Sequence, residues 1–193
     1  LLKVGRRTVV RPPWENYLPK RDEVTIELDP GMAFGTGHHP STRMCLEELE
    51  VLIQPDQTVL DVGTGSGILA IAASKLGASF VLAMDIDQMS TKVARRNIRV
   101  NGVVSGTKVI QGSITQIGKV TSVFSVVIAN INAKVISQNA NHLAALMGPG
   151  AFLLASGIIL ERLSETKEAL SVAGLHLVRQ HQDGDWITLV MRN

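Results

Sequence analysis

The spacing of apolar and polar positions changes character at Thr58. From there to the C-terminus, short runs rich in β-branched and apolar residues alternate with segments of helical length. Several of the short runs are almost continuously apolar, which is typical of strands covered on both faces of a sheet. This alternation predicts βαβ units and an α/β fold with a mostly parallel sheet. The predicted strands span residues 58–62, 80–85, 108–111, 123–129 and 151–155.

Glycines and asparagines mark the ends of the segments between these strands, at the positions where helices usually stop. The tail contains two further β-rich runs, 175–179 and 186–191, on either side of the turn-forming pair Asp183-Gly184. We therefore expect the sheet to end in an antiparallel hairpin. The helix stops are Gly77, Asn101-Gly102, Gly148-Pro149-Gly150 and Gly174, and the predicted helices span residues 40–53, 66–76, 88–100, 133–147 and 160–173.

The composition indicates one globular domain with a full hydrophobic core. The chain has 193 residues, of which 45% are hydrophobic and 19% are charged, a balance that disfavours disorder. No apolar run approaches the roughly 18 residues of a membrane span, and the first residues lack the order of a secretion signal. The single cysteine, Cys45, excludes an intramolecular disulfide. We expect a soluble, cytoplasmic protein.

Positive charge is concentrated at the start of the chain. Residues 1–21 hold six of the 19 basic and one of the 17 acidic residues, so the remainder has a balance of −3. We therefore expect no stable binding of nucleic acid. The stretch Arg11-Pro12-Pro13-Trp14 predicts a stiff, extended connection, because prolines fix φ and restrict the residue before them. We assign residues 1–25 to a linker or N-terminal extension and residues 26–193 to the main domain.

A glycine-rich turn joins the strand at 58–62 to the next helix. Asp61 lies near the end of the strand, and Gly63, Gly65 and Gly67 follow at alternate positions. Such glycines let the backbone approach a ligand closely, while the helix start offers N–H groups. The dinucleotide fingerprint needs a small residue five positions after its first glycine, where this chain has Ile68. The pattern disfavours NAD and resembles the S-adenosylmethionine loop of Rossmann-like methyltransferases.

The next predicted strand also ends in an acidic residue. Asp85 lies 18 positions after Gly67, close to the roughly 20-residue offset of a ribose-binding carboxylate. A carboxylate there can accept both hydrogen bonds of a ribose diol. The neighbouring Ile86 is a further predicted cofactor contact, whereas Asp87 is interpreted as a helix cap. This spacing indicates an adenosine-type ligand without distinguishing NAD from S-adenosylmethionine.

A glycine-rich segment, residues 29–43, precedes the first predicted helix. Its length and glycine content predict a lid over the cofactor. Hydroxyl and N–H groups at the helix start, residues 40–42, are placed to hold a ligand carboxylate. The pair His38-His39 does not predict a metal site, because no cluster of Cys, His and acidic residues lies at zinc spacing. The predicted cofactor contacts in the glycine-rich part of this segment are Phe34, Gly35 and Thr36.

Asn130 ends the strand predicted at 123–129 and is the candidate residue for orienting an acceptor. A polar residue at that position points into the crevice where the order of the strands reverses, and its amide or carbonyl can orient an amine. Amino methyltransferases that act on bases or glutamine commonly continue with two prolines and an aromatic residue. This chain has Ile131, Asn132 and Ala133 instead. A planar base or amide is therefore not the expected acceptor.

Taken together, these motifs resemble the PrmA family, the methyltransferases that modify large-subunit ribosomal protein eleven. The resemblance covers residue 10 to the C-terminus, and its most specific part is the run from Gly31 to Pro40. It implies a Rossmann-like class I methyltransferase fold, with a mostly parallel seven-stranded sheet, an antiparallel C-terminal hairpin and helices on both faces. It also implies S-adenosylmethionine as cofactor. The residues that match the family's cofactor-binding positions are Thr42, Gly63, Asp85 and Asn130.

Two departures from the family pattern affect what the resemblance implies. The family's small N-terminal domain, which recognises the ribosomal protein, has no counterpart here, so residues 26–193 correspond to the catalytic domain alone. Asn132 also stands where the family usually has an apolar residue. The acceptor side of the pocket is therefore predicted less closely than the cofactor side.

The reaction implied is attack of a lysine or N-terminal amine on the activated methyl group. Only a neutral amine attacks, and the pKa of an unperturbed lysine lies near 10.4, so the site must favour deprotonation. His38 and His39 are the candidate bases, and neither has a decisive sequence argument. The alternatives are a methyltransferase acting on RNA or a small molecule, an NAD-binding oxidoreductase, and a fragment that binds cofactor without turnover.

Overall fold

A computed structural model describes residues 1–29, 37–117 and 123–193 of the chain. The strands are β1 (Leu2–Val4), β2 (Thr8–Arg11), β3 (Val24–Glu27), β4 (Thr58–Val62), β5 (Phe80–Asp85), β6 (Thr107–Gln111), β7 (Phe124–Asn130), β8 (Met147–Ile159), β9 (His176–Asp183) and β10 (Trp186–Arg192). The helices are α1 (Pro40–Leu52), α2 (Ile68–Leu76), α3 (Gln88–Val100), α4 (Ala133–Gln138), α5 (Ala140–Leu146) and α6 (Leu163–Val172).

Seven strands form the central sheet, in the order β6-β5-β4-β7-β8-β10-β9. The strands from β6 to β8 pair in parallel, and β10 pairs antiparallel with both β8 and β9. The predicted fold class is therefore confirmed, including the antiparallel hairpin at the C-terminal edge. The order of the strands reverses between β4 and β7, and in such sheets ligands bind at the carboxyl ends of the strands beside that reversal.

The central sheet separates two hydrophobic cores. Consecutive residues of β4 point to opposite faces, so Val59 packs with α1 and α2 while Leu60 packs with α4, α5 and α6. Both residues are fully buried, which explains why this strand is apolar without alternation. Within residues 1–29, 37–117 and 123–193, no helix has the length and apolarity needed to cross a bilayer.

The elements around β8 differ from the prediction. The helix predicted at 133–147 is two helices, because Asn139 leaves the helical conformation and its side-chain amide donates to the carbonyl of Val135 at 2.9 Å. β8 is also longer than the predicted 151–155. It starts directly at Met147, and residues 148–151 bulge from the ladder, since Phe124 pairs with Met147 and Val126 pairs with Phe152. The predicted helix stop at 148–150 therefore lies within a strand.

The first 27 residues contain a second, three-stranded sheet where the sequence analysis predicted no strand. β2 pairs antiparallel with β1 and parallel with β3. Val9 and Ile26 are fully buried, and the sheet packs on α1 and α2. Its strands have only three or four residues, which is too short for a periodic pattern to stand out.

The turn between β1 and β2 is anchored by one carboxylate of α1. Glu50 accepts hydrogen bonds from the backbone N–H groups of Arg6, Arg7 and Thr8 at 2.8–2.9 Å, and from the Thr8 hydroxyl at 2.8 Å. Hydrogen bonds to a charged acceptor are stronger than neutral ones. Glu50 therefore fixes the small sheet on the same helix that carries Thr42 at its other end.

We expect the substitution Glu50→Gln to lower the free energy of unfolding by about 2 kcal/mol, because an amide offers one acceptor oxygen and turns its NH2 toward the remaining donors. Urea denaturation measures the effect. Glu47 lies on the same helix, is exposed and provides the matched control, for which Glu47→Gln should change stability by no more than about 0.5 kcal/mol. Equal effects of the two substitutions would contradict the anchor.

Candidate functional site

A cleft runs along the carboxyl ends of β5, β4 and β7 and contains two adjoining cavities. One has a volume of about 260 Å³ and reaches Thr42, Asn130 and Trp186. The other has a volume of about 410 Å³ and is lined by Asp85 and largely apolar side chains. The residues common to both walls are Gly63, Gly65 and Ile131. The glycine-rich turn thus lies at the junction of the two cavities.

Of the predicted cofactor contacts, the structure brings most to this cleft. Thr42 and Asn130 line the smaller cavity, Asp85 and Ile86 line the larger one, and Gly63 and Gly65 line both. Gly67 and Asp61 line neither: Gly67 caps α2, and Asp61 is buried beneath the turn. Phe34, Gly35 and Thr36, within the part of the predicted lid at residues 30–36, lie outside the described residues.

Gly63 allows the turn to pass directly under a side chain of the opposite wall. Its φ is +72°, a conformation that side chains disfavour, and a Cβ atom there would collide with Cγ2 of Ile131. The N–H groups of Gly63 and Thr64 both donate to the carbonyl of Met84 at 2.9 Å. These bonds tie the start of the turn to the end of β5.

Asp85 holds the turn and faces the larger cavity. One carboxylate oxygen accepts the N–H of Gly65 and the other accepts the N–H of Asp87, each at 3.0 Å. A carboxylate oxygen has two acceptor positions, so each oxygen retains one for a ligand hydroxyl. Asp87 caps α3 by accepting from the N–H of Ser90 at 2.7 Å, which agrees with its interpretation as a helix cap.

Asp61 is an ionisable group without solvent contact. It is 1% exposed and accepts the hydroxyl of Thr64 at 2.6 Å. Burial in an apolar environment penalises the charged form and raises the pKa of this carboxyl to about 6, while the bonds from Thr64 and the Ala70 N–H act in the opposite direction. Asp61 therefore supports the glycine-rich turn from below.

We expect Asp61 to make stability depend on pH. Its folded-state pKa lies above the ordinary value of 3.8, so its contribution to stability is full below that value and is lost as pH rises through about 6. Between pH of about 4.5 and 7.5, the wild type should lose about 2 kcal/mol relative to Asp61→Asn. Urea denaturation of both proteins at the two pH values tests this. Parallel pH profiles would contradict it.

The smaller cavity brings the side chains of Asn130 and Thr42 together. The Asn130 side chain donates to the Thr42 hydroxyl oxygen at 3.3 Å. Gly157 of β8 lies against it with φ +77°, and a Cβ atom there would stand 2.7 Å from the Ile131 carbonyl oxygen and 3.2 Å from Asn130 Oδ1. Only glycine leaves room for this close approach.

The two adjacent histidines, His38 and His39, lie in different surroundings. His39 lines the smaller cavity, caps α1 by accepting from the Ser41 N–H at 3.3 Å, and packs edge to face on Trp186 with ring centroids 4.4 Å apart. His38 is exposed and borders a separate cavity beside Leu2 and Val10. Of the two candidate bases, only His39 faces the cleft.

Several lining residues were not assigned to the site from the sequence. Trp186 and Gly157 line the smaller cavity, and Ser113, Ile114 and Thr115 follow β6 in the wall of the larger cavity. The end of β6 is a further strand terminus at the same edge, which is a signal that could have identified the last three. Among the described residues, no three His, Cys, Asp or Glu side chains lie close enough together to hold a metal ion.

Comparison with known proteins identifies the relatives of this chain. A family model described as ribosomal protein L11 methyltransferase (PrmA) matches residues 2–193. The chain is 47% identical over 191 residues to the ribosomal protein L11 methyltransferase of Geobacter sulfurreducens, covering 99% of this chain and 62% of that protein. It is 42% identical over 187 residues to that of Desulforamulus reducens, covering 97% of this chain and 60% of the relative.

A solved structure gives the same result. The crystal structure of ribosomal protein L11 methylase from Lactobacillus delbrueckii subsp. bulgaricus superposes with a TM-score of 0.90 at 34% identity, covering 98% of this chain and 96% of that chain. The chain spans about 60% of the length of the first curated relatives it matches. On the family match and these identities, the chain belongs to the ribosomal protein L11 methyltransferase family.

Proposed function

We propose that this chain is an S-adenosylmethionine-dependent protein methyltransferase that methylates lysine or N-terminal amines of ribosomal protein L11. The observation that carries the proposal is the meeting of Asp85, the glycine-rich turn and Asn130 in one two-part cleft. Family membership supports the substrate. We assign the catalytic domain to residues 26–193, and we infer a cytoplasmic location, where ribosomal proteins are made.

The cleft suits a ligand with one apolar and one polar half. Met84, Ile86 and Ile114 give the larger cavity apolar walls beside the Asp85 carboxylate, which fits a flat base attached to a ribose diol. In the smaller cavity, Thr42 accepts from Asn130, so its own hydroxyl proton can donate to the ligand's carboxylate. The Ser41, Thr42 and Arg43 N–H groups already bond to His39, so the Thr42 hydroxyl replaces the predicted N–H contacts there.

When bound, S-adenosylmethionine supplies a methyl group activated by its positive sulfur. The chain's own contribution is to bring an amine into line with that methyl group. Asn130 offers its Oδ1 and backbone carbonyl as acceptors for amine hydrogens, and the rings of His39 and Trp186 form one side of the space. Exclusion of water lowers the pKa of an entering lysine and so favours the neutral, reactive form.

Calorimetric titration with S-adenosylmethionine and, separately, with NAD tests the cofactor. We expect binding of the first alone. Incubation with intact ribosomal protein L11, followed by mass measurement, tests the acceptor, and we expect added methyl groups. Binding of NAD instead would contradict the methyltransferase, whereas cofactor binding without methylation of L11, or with methylation of RNA, would contradict the protein substrate.

A further inference from the structure

Two buried asparagines of α3 connect the glycine-rich turn to the small N-terminal sheet. The Asn97 side chain donates to the carbonyl of Ser66 in the turn at 2.8 Å. The Asn101 side chain, one helical turn later, donates to the Asn97 carbonyl at 2.9 Å. Both asparagines are 9% exposed, and neither lines the cleft. A path therefore runs behind the cleft from the Ser66 carbonyl through the Asn97 side chain and the backbone of α3 to the Asn101 side chain.

At its far end this path is hydrogen-bonded to β3. Asn101 Oδ1 accepts the N–H of Glu27, and its amide nitrogen donates to the Glu27 carbonyl, both at 2.8 Å. One side chain thus satisfies both backbone groups of a strand residue, as a neighbouring strand would. The Glu27 carboxylate in turn binds Arg11 of β2 at 2.6 Å. Through these bonds the N-terminal sheet is tied to α3, in addition to its Glu50 anchor on α1.

We propose that Asn97 and Asn101 are positioning residues that couple cofactor binding to the docking of the N-terminal sheet. The inference rests on the proposed cofactor site. α3 can transmit the effect because it packs directly on the turn, with the ideal Cβ position of Gly67 only 3.3 Å from Ala94 Cα. A cofactor that fixes the turn also fixes the Ser66 carbonyl, the acceptor on which Asn97 depends. Asn101 is then held in the position that binds β3.

Such coupling is reciprocal. If cofactor binding stabilises the docked sheet by some factor, docking of the sheet strengthens cofactor binding by the same factor. The two states of the switching element are β3 bonded to Asn101 and β3 released from it. Anything that engages the N-terminal sheet therefore changes cofactor affinity without touching the cleft.

The Glu27 amide reports directly on this link, because its N–H group donates to Asn101 Oδ1. Its exchange with solvent is followed by NMR in the presence and absence of S-adenosylhomocysteine, with calorimetry to confirm binding. The variants are Asn97→Ala, which breaks the path at the turn, and Asn101→Ala, which breaks it at β3. The control is Thr166→Ala, which removes a fully buried polar side chain of α6 on the opposite face of the sheet.

We expect the ligand to slow exchange of the Glu27 amide about fivefold or more in the wild type and the control. In Asn97→Ala the ligand should still bind, but it should slow exchange of the Glu27 amide by less than about twofold. A general loss of stability would not remove the effect of the ligand on this amide. In Asn101→Ala the affinity for the ligand should fall by the same factor by which the ligand slows exchange of the Glu27 amide in the wild type. Protection of the Glu27 amide at the wild-type level in Asn97→Ala overturns the link. A loss of protection in Thr166→Ala equal to that in Asn97→Ala also overturns it. Failure of the ligand to bind the wild type overturns the proposed cofactor site instead.

Discussion

The substitution Asp85→Ala is expected to reduce the affinity for S-adenosylmethionine by at least about a hundredfold, the largest effect on cofactor binding of any single change in the cleft. Two losses combine. The ligand loses a charged acceptor for its ribose hydroxyls, and Gly65 loses the bond that holds the turn at 3.0 Å. Hydrogen bonds to charged groups contribute about 1.5–3 kcal/mol each, so two of them give a loss of roughly 3–6 kcal/mol in binding.

Calorimetric titration measures this effect, and two variants separate its causes. Asp85→Asn keeps the shape and one acceptor oxygen, so its affinity should lie between those of the wild type and Asp85→Ala. Asp87→Ala removes the exposed cap of α3 two residues later and should change affinity by no more than about threefold, since capping contributes to helix stability rather than to ligand contact. An Asp85→Ala protein that still binds within tenfold of the wild type would remove this carboxylate from the site.

The second large effect is expected at Asn130. We expect Asn130→Ala to lower the rate of methyl transfer to ribosomal protein L11 about a hundredfold, because an amine loses the group that aligns it with the methyl donor. Cofactor affinity should fall by no more than about fivefold, because the Thr42 hydroxyl remains. Comparison of kcat with the calorimetric Kd distinguishes the two roles.

Asn132 provides the matched control for this prediction. It lies two residues further along and lines the same cavity, but its side-chain oxygen caps α4 by accepting from the Lys134 N–H at 2.9 Å. We therefore expect Asn132→Ala to retain kcat within about threefold of the wild type. If Asn132→Ala loses as much activity as Asn130→Ala, the polar rim as a whole positions the acceptor, and Asn130 has no special role.

The meeting of the glycine-rich turn with Asp85 could be predicted because its determinants are local in sequence. The strand at 58–62, the glycines after it and Asp85 at the end of the next strand form one βαβ unit, and parallel strands bring their carboxyl ends to one edge. Neither step needs knowledge of distant contacts. Gly63, Gly65 and Asp85 therefore meet in the structure as the spacing predicted.

The smaller cavity and the N-terminal sheet depend on contacts between distant residues. His39 meets Trp186 only because α1 packs on β8 and β10, and no local pattern encodes that pair. The small sheet is held by Glu50, 44 residues from Arg6, and by Asn101, 74 residues from Glu27. Strands of three or four residues become stable only when such groups supply the missing hydrogen bonds.

The distance between the small sheet and its anchors also has a consequence for the order of events during synthesis. β3 leaves the ribosome 74 residues before Asn101. At about 5–20 residues per second, the strand waits on the order of 4–15 s for its partner. Throughout that interval the backbone N–H and carbonyl of Glu27 lack the partner that they have in the folded structure and are open to other chains. The small sheet is thus translated before the helix that anchors it, and its docking cannot be complete until α3 has been made.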